Sequence, residues 1–439
     1  MKTLVRYAAF FLLITPNVFG QAPFLWERQR DFSGGLDLLR SVSTVGNMAV
    51  TAGNASVTGG LDLAVVNYSG AGDVRWTDQL PLTSGYNNPV FTASLGAIAF
   101  AAGYSSVVPN NSDIFVRAYN SRTGNVLWQD TLDKGRDDFP QGLAASPFVV
   151  VVVGQGGNTS VPPITALDAL IRAYDPFTGR VLWEDQVNKG DTIDDIAWAA
   201  AVDFDQVFVA GSSGIGGNRK MIVRAYHAQT GALQWEVERA GVSPIAITTK
   251  SGRVFVAGST NALNAFMGAF NTTNGGLVWE DTSTPGIFVD VEIRDHRLVG
   301  VGRSGQGAFI RAYHPANGRV AWQDVTKPPE EVQESLSAVA LSNEVAYVTG
   351  VSGEDFGESE FVVRAYDLSS GQALFDDRSH RSGGTGAAGT AIALGATHVY
   401  AVGWASDGGP SDFLIRAYDR TAVEPRFKLL VLILGRLSD

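Results

Sequence analysis

Cysteine is absent from the 439 residues, which rules out a disulfide framework and a lipid anchor on an N-terminal cysteine and leaves packing as the source of stability. Histidine is scarce. Of the five, His227 and His314 sit at one position of a repeated turn, while His296, His380 and His398 are scattered, so no metal-ligand spacing and no histidine-based triad is present. Against a net charge of -11 there is no basic run to neutralise phosphates, so neither a nucleic acid nor an anionic lipid surface is an expected partner. The apolar tail Phe427 to Gly435 falls short of the about 20 residues a membrane span requires, and it is expected to pack on the body of the protein.

What is present is a soluble, glycine-rich chain, 45% hydrophobic with 50 glycines. Lys2 and Arg6 precede an apolar stretch from Tyr7 to Ile14, and Val18 and Gly20 are small residues before Gln21, the pattern of a signal peptide over residues 1–20. An exported chain without disulfides is expected in a periplasm or the medium. Five glycosylation-type sequons, at Asn54, Asn67, Asn110, Asn158 and Asn271, are accounted for by chance in a chain rich in Asn, Ser and Thr.

The chain is organised around IRAYDPFTGRVLWED, Ile171 to Asp185, which returns from Val116, Val223, Met267, Ile310 and Val363 and in worn form from Val65 and Ile415. Each copy belongs to a unit of four short apolar or alternating runs separated by Gly, Asn or Asp, the pattern of four strands. The second run ends at a glycine in every unit: Gly53, Gly103, Gly154, Gly211, Gly258, Gly302, Gly350 and Gly403. Eight such units predict an all-β, eight-bladed β-propeller of four-stranded antiparallel blades, one domain over residues 21–427 with a tail at 428–439. The last unit loses its fourth strand after Thr421, whereas Phe24 to Gln29, FLWERQ, resembles VLWEDQ at Val181 to Gln186. The N-terminal segment is therefore expected to complete the eighth blade in preference to the C-terminal tail, leaving no open sheet edge.

Within the repeat, Asp175, Pro176 and Gly179 have the chemistry of a tight turn. A four-residue loop pairs Asp175 with Arg180 and predicts Tyr174 opposite Val181 and Arg172 opposite Trp183, a guanidinium stacked on an indole with Asp185 nearby. The tryptophans in the corresponding register are Trp26, Trp76, Trp128, Trp183, Trp235, Trp279 and Trp322, and the arginines are Arg117, Arg172, Arg224, Arg311, Arg364 and Arg416. A ring of arginines could hold a ligand, but an aromatic and an acid accompany each one locally, and a structural role accounts for them.

The segment Ala173 to Trp183, AYDPFTGRVLW, is similar to the A-x-D-x-x-T-G-x-x-x-W repeat of the pyrroloquinoline quinone (PQQ) propeller family, over essentially the whole chain. That family holds both quinone-dependent dehydrogenases and non-catalytic scaffolds such as the outer-membrane assembly lipoprotein. For the dehydrogenases the resemblance implies PQQ over the channel with calcium, a catalytic aspartate and commonly adjacent cysteines. The cysteines are lacking, the loops are short, and no residue carries over to a quinone or calcium site. No catalytic residue and no cofactor is therefore assigned, with PQQ and calcium kept for the alternative reading as an oxidoreductase.

The turns between third and fourth strands are nearly uniform, whereas the loops between second and third strands differ widely, as in SSGIGGNR, GQGGNTSVPPITALDA and VSGEDFGESE. Those loops share a face with the interblade connections, where the acid pairs Asp137 and Asp138, Asp194 and Asp195, and Glu330 and Glu331 fall. Acids there could bind calcium or act as an acid/base pair, or simply be solvated. The reading is a secreted or periplasmic monomeric scaffold that binds a protein or extracellular polymer through the variable face.

Overall fold

The computed structural model describes residues 21–57, 60–82, 90–108, 111–135, 137–157, 166–190, 192–326, 332–353, 358–380 and 386–424. The expected signal peptide (1–20) and the apolar tail (428–439) lie outside them. Thirty-two strands form eight four-stranded antiparallel sheets. Blade 1 runs from Leu38 to Leu82, blade 2 from Phe91 to Leu132, blade 3 from Asp138 to Val187 and blade 4 from Asp195 to Ala240. Blade 5 runs from Val242 to Pro285, blade 6 from Ile287 to Val325 and blade 7 from Gln333 to Ser379. The first strand of each blade contacts the first strand of the next, and those of blades 8 and 1 also touch, so the eight innermost strands enclose an axial channel.

Blade 8 takes three strands from Ala387 to Asp419 and its outermost strand from Phe24–Arg30, which pairs antiparallel with Asp412–Asp419. The expected N-terminal closure is what the fold contains. Hydrophobic clusters lie between blades. One joins blades 3 and 4 through Val151, Trp183, Val209 and Tyr226, and another joins blades 8 and 1 through Leu39, Tyr68, Val402 and Ile415. Burial in such clusters at about 25 cal/mol per Å² of apolar surface is the main stabilising term.

The second-strand glycines have a steric cause. The first strand carries a bulge in most blades, between Pro140 and Gly142 in blade 3 for example, and the bulge presses a carbonyl against the neighbouring strand. A Cβ at Gly154 would lie 2.1 Å from the Phe139 carbonyl oxygen, so no other residue fits.

The turn register holds in part. Asp175 donates its N–H to the Arg180 carbonyl and Tyr174 lies opposite Val181, as expected. The pairing of Arg172 with Trp183 does not hold: Ala173 lies opposite Trp183 and Arg172 opposite Glu184. A bulge in the fourth strand adds one residue and moves the next pair along by one, which exchanges the faces of the sheet. The indole is thereby freed to leave its own blade. Trp183 Nε1 donates to the Ala228 carbonyl in the turn of blade 4 at 2.7 Å, its ring stacks on Tyr226 at 5.2 Å, and it covers Gly231. The same indole-to-carbonyl bond is made by Trp26, Trp76, Trp128, Trp235, Trp279 and Trp322.

Freed from the indole, the arginines also bridge blades. Arg172 pairs with Asp130 of blade 2 at 2.9 Å and with Glu184 of its own blade. Arg224 reaches Asp185 at 2.9 Å, where Tyr226 also donates. Arg117, Arg311 and Arg416 meet Asp78, Asp281 and Asp377 in the preceding blade in the same manner, and Arg364 pairs with Glu334 and Asp376 of its own blade.

Candidate functional site

Strands alternate in direction, so the second-to-third loops and the interblade connections emerge on one face of the ring. Hydrogen bonds tie the interblade connections to the starts of the third strands. Asp137 accepts the Ser112 N–H of blade 2 at 2.9 Å, and Asp194 accepts the Leu167 N–H of blade 3 at 3.3 Å. The partner of each in its pair turns inward. Asp138 is fully buried and accepts the Lys134 N–H at 2.6 Å, and buried Asp195 accepts the Lys189 N–H at 2.6 Å. The four acids are thus braces: the first of each pair holds the start of the preceding blade's third strand, the second the interblade connection. Glu330 and Glu331 lie outside the described residues.

Two acids that are not adjacent in sequence to another acid occupy the same buried position. Counting back two residues from the one opposite the second-strand glycine gives Asp138 and Asp195 in blades 3 and 4, and also Asp37 in blade 1 and Glu334 in blade 7. Asp37 accepts N–H groups from Ser56 at 2.6 Å and Phe32 at 2.8 Å, and Glu334 pairs with Arg364. The signal available in the sequence was the offset from the glycine.

At two junctions the buried acid belongs to a cluster of three. Asp113, Asp133 and Asp138 lie between blades 2 and 3, and Asp31, Asp37 and Asp412 between blades 8 and 1, with one carboxylate oxygen of each within 4.8 Å of the others. The clusters are built alike: one acid near the start of a third strand, one after the fourth strand, and one entering the next blade. Burial, opposed by the Lys134 N–H and reinforced by Asp113 and Asp133, pushes Asp138 up to about 7. Burial together with Asp133 raises Asp113 to about 6, and burial raises Asp37 to about 6 against the two N–H groups it accepts. Asp195 is also raised, chiefly by burial. A proton or a hard oxygen-seeking cation relieves such crowding. The junctions entering blades 5, 6 and 8 lack the buried acid and have Val242, Gly286 and Ala387 there.

Beside the two acid clusters the exposed charge is acidic, with Asp31, Asp133 and Asp407 reaching solvent, whereas elsewhere on this face Lys189, Lys220, Arg239 and Arg303 are exposed. Of the sequons, Asn54 and Asn67 are buried, Asn271 is exposed, and Asn110 and Asn158 lie outside the described residues.

An eight-bladed ring with blade-to-blade tryptophans and this repeat defines a PQQ-type propeller. The family model described as outer membrane protein assembly factor BamB matches residues 25–217 and 219–404, and the chain belongs to that family. Quinoprotein glucose dehydrogenase of Gluconobacter oxydans (strain 621H) is 38% identical over 69 residues, 16% of this chain and 8% of that protein, so the likeness spans a small part of that relative. Among solved structures, quinohemoprotein alcohol dehydrogenase ADHIIG from Pseudomonas putida HK5 is similar with a TM-score of 0.58 at 12% identity, over 92% of this chain and 78% of that one. Chaetomium thermophilum Sqt1, bound to the N-terminus of the ribosomal protein L10, is similar with a TM-score of 0.57 at 11% identity, over 91% of this chain and 100% of that one. At such identities the likeness is one of fold. No helix among the described residues is long and apolar enough to cross a membrane.

Proposed function

We propose that this chain is an exported, non-catalytic scaffold that captures a protein or extracellular polymer through its variable face, and that the captured segment is basic. The observation that carries this reading is the exposed carboxylates beside the two acid clusters, Asp31 and Asp407 at one and Asp133 at the other, among connections whose sequences differ from blade to blade. Carboxylates steer a cationic partner and favour a salt-dependent encounter. Hydrogen bonds from the interblade acids to the third-strand starts and to the connections themselves hold that surface on the ring.

The oxidoreductase reading asks for a different surface. PQQ is a flat tricarboxylate, which requires cations for its carboxylates and a flat face for its rings. Among the described residues, the junctions on the variable face carry carboxylates, and the axial cavity offers the guanidinium groups of Arg294 and Arg420 but no aromatic ring to pack on the flat face. These residues do not fit the group, and no step is assigned to it.

The test is fluorescence anisotropy with a labelled lysine-rich peptide and a labelled acidic peptide. The basic peptide is expected to bind and to be released as salt rises. The triple variant Asp31→Lys, Asp133→Lys, Asp407→Lys should weaken it at least tenfold, whereas Asp73→Lys with Asp205→Lys on the opposite face should leave it unchanged. Equal losses from the two sets would remove the proposal. Incubation with PQQ and calcium, followed by an absorption spectrum and a dye-reduction assay with alcohols and sugars, is expected to give no turnover, and bound quinone with turnover would replace this reading with the enzymatic one.

A further inference from the structure

The described residues leave a cavity in the axial channel. Near the uniform face, the second halves of the innermost strands of blades 1, 2, 6, 7 and 8 and the helical turn Arg420–Val423 surround a cavity of about 480 Å³, within the range of small-molecule sites. Its walls differ in chemistry. On one side stand hydroxyls: Ser94 Oγ donates to Ser43 Oγ at 2.7 Å, and Thr44 Oγ1 donates to the Leu394 carbonyl at 2.7 Å. The Ser43 hydrogen and the remaining lone pairs of Ser94 and Thr44 are left for a guest.

The wall from blade 6 presents Glu292 and Arg294, with Asp290 on the same face of the strand by its spacing. Asp290 accepts the N–H groups of Val291 at 2.8 Å and Val339 at 2.9 Å. Glu292 commits one oxygen, accepting the Leu341 N–H at 2.8 Å. Arg294 donates through Nε to Asn343 at 2.8 Å, which leaves its terminal nitrogens, and Arg420 donates to Glu424 and to the Gly395 carbonyl. The cavity thus combines hydroxyls, a carboxyl with one uncommitted oxygen, and guanidinium groups.

We propose that this cavity binds a small polyhydroxylated carboxylate, a sugar acid, with its carboxylate at Arg294 and Arg420 and its hydroxyls against Ser43, Thr44, Ser94 and Glu292. A guanidinium fork matches a carboxylate, and hydroxyls with open donor and acceptor positions match a polyol. Burial pushes Glu292 up to about 8, with Leu341 N–H, Arg294 and Lys250 opposing and Asp290 adding to the rise. Below that pH it is a neutral hydrogen-bond donor that an anion tolerates. Above it, the ionised carboxylate repels the guest. The groups facing it are Asp290 and Arg294 on its own strand, Lys250 from the first strand of blade 5, and Arg420 across the cavity. The site lies away from the variable face, and does not depend on the partner proposed there.

Isothermal titration of the full chain with glucuronate, glucose and acetate tests it. Glucuronate is expected to bind at pH 6.5, with glucose and acetate at least tenfold weaker, and its affinity should fall about tenfold between pH 7 and 9. Arg294→Ala should weaken glucuronate at least tenfold with an unchanged near-ultraviolet circular dichroism spectrum. Glu292→Gln should keep the affinity at pH 6.5 and abolish its fall with pH. No glucuronate binding, glucose binding as tightly as glucuronate, an unaffected Arg294→Ala variant, or a pH profile that survives Glu292→Gln would each overturn the proposal.

Discussion

The two faces of the ring join the same blades by different chemistry. On the uniform face, tryptophans pass into the turn of the next blade and end on a carbonyl, over a turn glycine. On the variable face the connection is made by buried carboxylates, in blades 1, 3, 4 and 7, and blades 5, 6 and 8 have Val242, Gly286 and Ala387 at that position. The comparison teaches that packing was copied with the repeat, whereas the polar braces were not. An indole needs only a turn of fixed shape, which every copy supplies. A buried acid needs an N–H from a particular loop, and the loops differ.

The largest effect should come from the uniform face. Trp183→Ala removes a buried indole and its bond to Ala228, and is expected to lower stability by about 3–5 kcal/mol; chemical denaturation is the measurement, and a melt within a degree or two of wild type would sink the packing account. Next, Gly179→Val and Gly34→Val compare the faces directly. Both glycines have positive φ, +72 and +73, but a Cβ at Gly179 would sit 2.5 Å from the Trp128 ring, whereas Gly34 has open space. Both substitutions incur backbone strain of about 1–3 kcal/mol, and Gly179→Val should cost about 1–3 kcal/mol more through overpacking. Equal costs would erase the distinction.

A smaller and pH-dependent effect belongs to the variable face. An aspartate ordinarily titrates near 4, and Asp138 is raised to about 7. The folded state therefore holds this proton more tightly than the unfolded chain. Its contribution is fully present at low pH and is lost as pH rises from about 4 through about 7. Asp138→Asn should remove that decline, a difference between variant and wild type on the order of 2 kcal/mol across the window, read from melting temperatures at pH 5 and 8. A difference that does not change with pH would mean Asp138 is not protonated in this way. The smallest effect is expected for Asp133→Asn, an exposed group whose bond to the Gly135 N–H asparagine can replace, within about 0.5 kcal/mol.

The ring was legible because repetition is visible without knowing any contact. Eight glycines at one place gave eight blades, and Trp26 marked the segment that completes the last. The partner of each arginine was not legible. A single extra residue at Leu182 exchanges the faces, and the hydrophobic pattern carries no trace of it. Adjacent acids drew attention to Asp138 and Asp195, but Asp37 and Glu334 do the same work without an acidic neighbour in sequence. Their burial is set by the blade alongside, which a scan of one unit does not see.

The strand Phe24–Arg30 has a consequence for the order of assembly. Its antiparallel partner, Asp412–Asp419, lies almost four hundred residues away in sequence, and the Asp419 N–H donates to the Pro23 carbonyl at 2.8 Å. The Phe24–Arg30 strand has no place to dock until the final blade exists. The ring is therefore a clasp that cannot be fastened on an unfinished chain, and its fastening is a built-in test of completeness. With the two ends of the clasp side by side, linking them and opening the chain at an exposed loop should preserve the ring.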